Sequence, residues 1–330
     1  MKSNNKILIR CDAAKIAEVG TGHLIRAITL SKILIKKKLL KEDQIIFLLK
    51  RDKEYELAKK IMKYEKLNYH TINYKIKDYS KKEINEILKY NFKIVIFDRP
   101  GKINKSSINL LKSKNKKIIC FDDCSENKFL CNLSFNSLFF KKKYKTKNHF
   151  SGFDYNILPS FFFKKKIKHT KLIKKIFISF GGFDNESLLK KNNIVFKTFK
   201  ENYSLNINKD IPSQKSVNNN ERKDFFARMS GSDLVICSGG LTMFDAINLN
   251  IPTIAIPIYS HQLKNTKELE KLNVLQRIVT KKSLLSDLKN KIDKTNRYKT
   301  LKMIKKNQLK FTKQNKINFI IKKISHLYEN

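Results

Sequence analysis

The sequence predicts an α/β protein built of two Rossmann-like domains that face a central cleft. Apolar strands alternate with amphipathic helical stretches along the whole chain, which is the pattern of βαβ units. A glycine-bearing turn follows a strand in each half, at Gly20-Thr21-Gly22 and at Ser238-Gly239-Gly240. Such turns direct unpaired backbone N–H groups at a phosphate. Two of them, in separate halves, predict two nucleotide-binding-type domains.

The first half is expected to hold four strands and four helices. The expected strands are Lys6–Arg10, Gln44–Lys50, Lys93–Asp98 and Lys117–Asp122. The expected helices are Gly22–Lys37, Lys53–Tyr64, Lys81–Tyr90 and Ile103–Ser113. A polar, basic stretch without periodicity at 164–175 suits a linker, so we expect domains at 1–165 and 173–330.

The second half repeats the strand and helix pattern. The expected strands are Ile176–Phe180, Tyr203–Asn208, Asp233–Cys237 and Thr253–Pro257. The expected helices are Asn185–Glu201, Arg222–Met229, Thr242–Leu249 and Leu263–Leu272, followed by lysine-rich helical sequence from Arg297 onward.

The chain is strongly basic, with a formal net charge of +42 at 330 residues. Only eight of the basic residues are Arg, and Asn, Ile and Phe are abundant, as A/T-rich codons would produce. Compositional drift therefore explains the lysines without a specific nucleic-acid partner. The alternative is attraction to acidic lipid or nucleic acid, and a peripheral membrane contact through the basic surface stays open. We expect a monomer.

The remaining composition indicates a cytoplasmic globular protein. Hydrophobic residues make up 41% of the chain, and no apolar run reaches the roughly 18 residues that span a bilayer. The N-terminus leads almost directly into a strand, without the apolar run of a signal peptide. The five cysteines lack paired CxxC spacing, so we expect reduced core thiols and no metal site.

His23 is the strongest candidate for catalysis. Gly20 and Gly22 let the backbone turn sharply and approach a ligand without a Cβ in the way. His23 then falls in the first turn of a helix, at the sheet edge where open α/β folds bind ligands. A positive helix end disfavours imidazolium, so a neutral His that accepts a proton is expected. The alternative is a His that caps the helix or packs in the core.

Charged residues close three strands of the first half. Arg10 and Asp12 bracket the end of the first strand, where Asp12 could orient His23 or bind sugar hydroxyls, or simply pair with Arg10. Asp98 and Asp122-Asp123 end two further strands at the same predicted edge. Their alternative role is to start turns.

The second turn has the residues of a nucleoside diphosphate site. Gly239, Gly240 and the helix start at Leu241 would hold a diphosphate with backbone N–H groups, and Thr242 could add its hydroxyl. Asp245 lies one helical turn beyond Leu241, where a carboxylate can accept both ribose hydroxyls, or merely favour the helix dipole. We include Ser238, Gln262 and the Gly181-Gly182 turn in the same predicted site.

Several motif residues together resemble one known family. The N-terminal pattern R-x-D followed by G-x-G-H-x-x-R is matched by Arg10, Asp12, Gly20, Gly22, His23 and Arg26. Later matches are Asp122-Asp123, then Gly152, Tyr155 and Leu158, then Gly181, Gly182 and Asp184, and finally Gly239 to Asp245. Over roughly residues 6–265 the chain resembles the PseG family, the UDP-sugar hydrolases of pseudaminic acid biosynthesis. It is more distantly similar to MurG-type glycosyltransferases of GT-B fold.

This resemblance implies hydrolysis of a UDP-linked 2,4-diacetamido-2,4,6-trideoxyhexose to UDP and free sugar. It implies that His23 activates water without a metal or cofactor, that Arg10, Asp12, Asp98, Asp123 and Tyr155 contact the sugar, and that Asp245 binds the ribose. In relatives the ribose acid is usually Glu, and D-x-Y often stands where this chain has Asp98-Arg99-Pro100. Two rivals stay open: an inverting UDP-sugar glycosyltransferase and a non-catalytic nucleotide-sugar-binding protein.

Overall fold

Two compact units make up the chain. One comprises Met1–Pro159 together with Asn315–Asn330, and the other comprises Ser160–Gln314. The computed structural model describes residues 6–14, 19–99, 101–123, 125–137, 146–157, 172–180, 199–207, 219–279, 284–312 and 315–329.

Unit 1 is a parallel sheet with helices between its strands. Its strands are β1 (Ile7–Cys11), β2 (Ile45–Arg51), β3 (Tyr69–Asn73), β4 (Ile94–Asp98), β5 (Lys117–Phe121), β6 (Leu133–Asn136) and β7 (His149–Ser151). Its helices are α1 (Gly22–Lys36), α2 (Glu56–Tyr64), α3 (Lys81–Leu88), α4 (Lys105–Ser113) and the C-terminal α10 (Ile317–Glu329). The strand order is β3-β2-β1-β4-β5-β6-β7, and every pairing is parallel.

The central strands of unit 1 are buried along their whole length. In β1 and β4 every residue is buried, as expected of parallel strands covered by helices on both faces. Cys11 pairs with Asp98, and Asp98 with Phe121, so these three strands end at the same level. The side chains at and just beyond this level therefore share the carboxyl edge of the sheet.

Unit 2 repeats this arrangement in a smaller parallel sheet. Its strands are β8 (Lys175–Ser179), β9 (Ser204–Ile207), β10 (Leu234–Cys237), β11 (Thr253–Ala255) and β12 (Gln276–Arg277), in the order β12-β11-β10-β8-β9. Its helices are α5 (Asn219–Ser230), α6 (Leu241–Asn248), α7 (Ser260–Lys271), α8 (Leu284–Asn296) and α9 (Tyr298–Thr312).

The predicted α/β class with two Rossmann-like sheets is confirmed, and most elements lie within a few residues of their predicted bounds. Sequence reasoning missed β3, β6, β7, β12 and α8. Only one residue of β3 is buried, so this outer strand lacks the apolar run that marks β1; β7 and β12 have only three and two residues. Most of the predicted linker, and most of the predicted helix Asn185–Glu201, lie outside the described residues.

The C-terminal helix corrects the predicted domain bounds. We expected 173–330 to form one domain, but α10 belongs to unit 1. Its residues Ile320, Ile321 and Ile324 are buried, and the rings of Phe319 and Phe150 meet with centroids 4.9 Å apart. The apolar face of a helix packs against whichever unit has a complementary apolar surface. The order of elements along the sequence does not reveal which unit has that surface.

Two further predictions concern composition. Cys11, Cys120, Cys131 and Cys237 are buried free thiols, as predicted, whereas Cys124 lies outside the described residues. Within the part of the chain that the structure describes, no helix combines the length and the apolar character needed to cross a membrane.

Candidate active site

The turn before α1 fixes the position of His23. Gly20 has a φ of +53°, a left-handed conformation that favours glycine, although a Cβ at this position would meet no atom within 4 Å. Its carbonyl accepts a hydrogen bond from the N–H of Ala14 at 3.0 Å, which closes the loop after β1. Helix α1 then begins at Gly22, so His23 is its second residue, as the sequence predicts.

A carboxylate from a distant strand holds the His23 ring. His23 Nδ1 lies 2.8 Å from Oδ1 of Asp98, the last residue of β4. The sequence offered Asp12 as a partner for His23, but Asp12 accepts the N–H of Lys50 at 2.8 Å and pairs with Arg10 at 2.8 Å. Asp98 therefore takes the orienting role that we considered for Asp12.

Arg26 fixes Asp98 in turn. Its Nε donates to Asp98 Oδ2 at 2.8 Å and its Nη2 to Asp98 Oδ1 at 2.5 Å, which is a bidentate pair. Its Nη1 donates to Asp122 and, at 3.2 Å, to Ser137 Oγ. Asp122 has a φ of +53°, which Asp tolerates better than most residues. Sequence reasoning placed Arg26 in a motif but gave it no contact.

The charges in this group determine which nitrogen of His23 is protonated. Burial raises the pKa of Asp98, but the Arg26 guanidinium and the hydrogen bonds from Arg26 and His23 outweigh it, so the pKa lies below its usual value. An ionised carboxylate only accepts hydrogen bonds, so Nδ1 of a neutral His23 carries the hydrogen. Nε2 then keeps its lone pair, on a side chain that is 16% exposed.

Arg10 lies in a buried ionic cluster. Its side chain is fully buried, and its Nε donates to Glu83 at 2.9 Å. Arg99 donates to the same carboxylate from both of its terminal nitrogens, and to Asp78 at 3.0 Å. Burial raises the pKa of Glu83, but the two guanidiniums outweigh it and lower the pKa to about 2.

This cluster changes the roles predicted for Arg10 and Asp12. Both were candidates for sugar contact, but both are buried and held by protein groups. We now assign them the structural alternative, the ion pair. The cluster also holds Arg99: Glu83 neutralises its charge, and its guanidinium lies 4.1 Å from the ring centre of Tyr79. No sequence signal linked Glu83 to either arginine.

Asp123 and Tyr155 also have structural roles. The Asp123 carboxylate accepts the N–H of Ile103 at 2.7 Å, and the N–H and hydroxyl of Ser125 at 2.7 and 2.5 Å. Tyr155 packs on Phe319 of α10, with ring centroids 6.0 Å apart. We therefore leave both residues out of the proposed sugar contacts.

In unit 2, tight packing defines the predicted diphosphate turn. A Cβ on Gly239 would lie 2.8 Å from Gln262 Cβ and 2.9 Å from Thr266 Cγ2, so helix α7 leaves room only for glycine. A Cβ on Gly240 would make ordinary contacts at 3.8 Å. The Ser238 hydroxyl donates to the carbonyl of Phe180 at 3.2 Å and so ties β10 to the end of β8.

Helix α6 starts directly after this turn. Gly240 is its N-cap in an extended conformation, and among the described residues no side chain caps the helix. Leu241, Thr242 and Asp245 are partly exposed, while Met243 and Phe244 are buried. Leu241, Thr242 and Asp245 therefore lie on the partly exposed side of this short helix.

Gln262 contributes a donor to the same turn. Its Oε1 accepts the N–H of Ile258 at 2.9 Å, and its Nε2 is 3.8 Å from the position of a Cβ on Gly240. The side-chain N–H₂ group, a hydrogen-bond donor, thus lies next to the turn. Gly181 and Gly182 lie outside the described residues, so their part in the site stays a prediction. Among the residues that the structure describes, no group of His, Cys, Asp and Glu could hold a metal ion.

Comparison with known proteins agrees with this architecture. Residues 183–322 match the family model described as the glycosyltransferase family 28 C-terminal domain. An uncharacterized protein of Methanocaldococcus jannaschii, MJ1062, is 30% identical in an alignment over 293 residues that covers 78% of this chain. The chain spans 56% of the length of that relative.

Solved structures extend the similarity over nearly the whole chain. MurG of Acinetobacter baumannii has a TM-score of 0.63 at 11% identity, covering 96% of this chain and 98% of its own. Os79 of O. sativa, in complex with U2F and trichothecene, has a TM-score of 0.67 at 10% identity and 98% and 100% coverage. HepE of Anabaena, in complex with UDP and glucose, has a TM-score of 0.55 at 10% identity and 98% and 99% coverage. The fold is that of the GT-B glycosyltransferases.

Proposed function

We propose that the protein is an enzyme that hydrolyses a UDP-linked 2,4-diacetamido-2,4,6-trideoxyhexose, releasing UDP and the free sugar. The observation that carries the proposal is the hydrogen bond of 2.8 Å between His23 Nδ1 and Asp98, which leaves Nε2 of the neutral ring able to accept a proton. Arg26 keeps the carboxylate ionised. This geometry supports a role for His23 as a positioned general base.

The proposed reaction needs only groups of this chain and water. His23 Nε2 accepts a proton from a water molecule while the water oxygen attacks the anomeric carbon of the sugar. The bond from that carbon to the β-phosphate oxygen breaks, and UDP leaves with the electron pair. The leaving diphosphate gains negative charge, which backbone N–H groups at a helix N-terminus stabilise.

The UDP part of the proposal is assigned to α6 and the turn before it. Gly239 and Gly240 would let the diphosphate approach the backbone, and Thr242 and Gln262 would add side-chain donors. Asp245 would accept the ribose hydroxyls. This assignment is supported by the uncapped helix start, by the Gln262 amide next to the turn and by the match of residues 183–322 to a glycosyltransferase domain.

The second candidate is an inverting glycosyltransferase of MurG type. The family 28 match and the MurG-like fold favour it. His23 would then deprotonate an acceptor hydroxyl instead of water, so the two candidates share one base and differ in the nucleophile. The resemblance of the N-terminal motif to UDP-sugar hydrolases favours water.

The decisive experiment follows UDP and sugar by NMR. The full chain is incubated with candidate UDP-sugars, with and without acceptor alcohols. Release of equal amounts of UDP and free sugar without an acceptor supports the hydrolase. Release only with an acceptor, together with a new glycoside, supports the transferase. Binding of UDP without turnover of any candidate leaves the non-catalytic rival.

Asp245 tests the UDP site by itself. Asp245→Ala should weaken UDP binding by about 1–3 kcal/mol, because charge-assisted hydrogen bonds to the ribose are lost. Asn248→Ala, one turn further along α6, is the matched control and should leave the affinity unchanged. Isothermal calorimetry measures both. Equal UDP affinity in Asp245→Ala and in the unaltered protein would remove Asp245 from the site.

A further inference from the structure

One face of α9 combines exposed lysines with exposed large apolar side chains. The exposed residues of this helix are four lysines and two large apolar residues: Tyr298, Lys299, Lys302, Met303, Lys306 and Lys310. The helix contains no Asp or Glu. Tyr298 is 60% and Met303 39% exposed.

These six residues form one continuous surface. Successive helical residues turn by about 100°, so all six fall within an arc of about 140°. Leu301, Ile304 and Gln308 are buried on the opposite side of the helix. Because that side packs into unit 2, the direction of the exposed face is fixed.

The lysines of this face have no carboxylate partners among the residues that the structure describes. Some lysines on other helices do: Lys59 pairs with Glu56, Lys89 with Glu86 and Lys271 with Glu268, each three residues away. A lysine-rich composition alone accounts for lysines on every helix. It does not account for the exposed Tyr298 and Met303 among the lysines of α9, since α1 and α4 also lack Asp and Glu but expose no large apolar side chain.

A third exposed apolar side chain lies beside the helix. Asn307 Nδ2 donates to the carbonyl of Leu272 at 3.2 Å, which places Leu272, itself 50% exposed, next to α9. Tyr and Lys side chains combine an apolar body with a polar end and suit the boundary between lipid and water. Exposed Leu and Met side chains add area that can enter the headgroup region.

We propose that the α9 face, formed by Tyr298, Lys299, Lys302, Met303, Lys306 and Lys310 with Leu272 beside it, docks on a bilayer that contains anionic lipids. The lysines bind the negative headgroups, and the apolar side chains enter the boundary region. Charge complementarity selects an anionic over a neutral surface. The proposal does not depend on the proposed enzymatic activity.

Co-sedimentation with phosphatidylcholine vesicles that either contain or lack phosphatidylglycerol tests the proposed membrane docking. The full chain should bind only the anionic vesicles. Replacing Lys299, Lys302, Lys306 and Lys310 by Gln should lower the partition coefficient by about 100-fold, because each lysine near an anionic surface contributes several-fold. The matched control replaces Lys102, Lys105, Lys112 and Lys114, around α4, by Gln; it removes the same charge and should bind nearly as well as the unaltered protein.

A second variant tests the apolar contribution. Tyr298→Ser with Met303→Ser should lose the binding that persists at high salt, where charge attraction is screened. Equal losses in the α9 and α4 lysine variants would overturn the proposal in favour of a general effect of net charge. The proposal would also be overturned, in favour of a nucleic-acid partner, if the protein bound duplex DNA but not vesicles and the α9 lysine variant abolished the DNA binding.

Discussion

The proposed base of the active site depends on residues far from it in sequence. His23 is held by Asp98, and Asp98 is held by Arg26, which also binds Asp122. All four side chains are at least mostly buried, so a change at one alters the charge that the others experience. Their effects on catalysis should therefore be strongly non-additive.

His23 itself gives the first prediction. His23→Ala should lower kcat by about 10²–10⁴-fold, the usual contribution of a positioned general base. UDP affinity should stay nearly unchanged, because the proposed UDP contacts lie in unit 2. UDP release from the true substrate gives kcat, and calorimetry gives the affinity. His70→Ala, at an exposed residue of β3, is the control. Turnover of His23→Ala at the rate of the unaltered enzyme would refute the mechanism.

Arg26 gives a prediction about pH. Arg26 lowers the pKa of Asp98, and a lysine in its place cannot form the same bidentate pair. In Arg26→Lys the pKa of Asp98 should therefore rise, so Asp98 becomes protonated at a higher pH during acidification. A protonated Asp98 no longer fixes the His23 tautomer, so the acid limb of the kcat/KM profile should move to higher pH.

A merely structural Arg26 would behave differently. If Arg26 had only a structural role, the Arg26→Lys substitution would lower activity by the same factor at every pH at which the variant is folded. The shape of the pH profile would then not change. Circular dichroism at each pH shows that the comparison is made on folded protein. An unshifted acid limb in a folded Arg26→Lys enzyme contradicts the positioning role.

At the scale of elements, the turn before α6 owes its sequence to packing as well as to any ligand. Gly239 lies against α7, whereas Gly240 has room for a side chain. The two adjacent glycines are therefore under different constraints: packing against α7 excludes a side chain at Gly239 but not at Gly240. The difference gives a matched pair of variants.

Gly239→Ala should destabilise the protein by about 1–3 kcal/mol, because the new methyl group overpacks against Gln262 and Thr266. It should also weaken UDP binding, since Gln262 must shift. Gly240→Ala should lower the free energy of unfolding by less than Gly239→Ala does. Any loss of UDP affinity in Gly240→Ala should come only from the new methyl group, which would hinder the approach of the diphosphate to the turn. Denaturant unfolding and calorimetry separate the two effects. Equal loss of stability in both variants would contradict the packing argument.

The elements also show what local sequence can reveal. His23 could be placed because its glycines and helix are adjacent to it. Asp98, 75 residues away, is its partner only because β1 and β4 are neighbours in register, and local patterns do not contain that pairing. Arg10 looked like a ligand contact because charges at strand ends often are. Its burial depends on Glu83, from a helix that the sequence did not connect to it.

At the scale of the whole molecule, α10 completes unit 1. The N–H of Lys316 donates to the carbonyl of Asp154 at 2.6 Å, and Lys93 Nζ donates to the carbonyl of Tyr328 at 2.7 Å. Phe319 packs on Phe150 of β7. The last residues of the chain thus stabilise strands formed by its first half.

A chain that ends at Gln314 should lose stability in unit 1 alone. The free energy of unfolding of that unit should fall by on the order of 3–5 kcal/mol, comparable to the loss of a large core side chain. Hydrogen exchange should become faster in β6 and β7 and stay unchanged in β10. Phe319→Ala in the full chain should show a smaller loss in the same strands. Faster exchange in β10 as well would contradict the assignment of α10 to unit 1.

The return of α10 to unit 1 also bears on how the protein is made. A ribosome adds about 5–20 residues per second, and domains fold in general as they emerge. Unit 2 lies between the two segments of unit 1 along the chain, so the first sheet emerges early but lacks the side chains of α10 until residues 317–329 have been synthesised. During that interval the surfaces of Phe150 and Tyr155 that α10 will cover are open to solvent. Until α10 has emerged, nascent unit 1 therefore exposes apolar surface of the kind that chaperones bind.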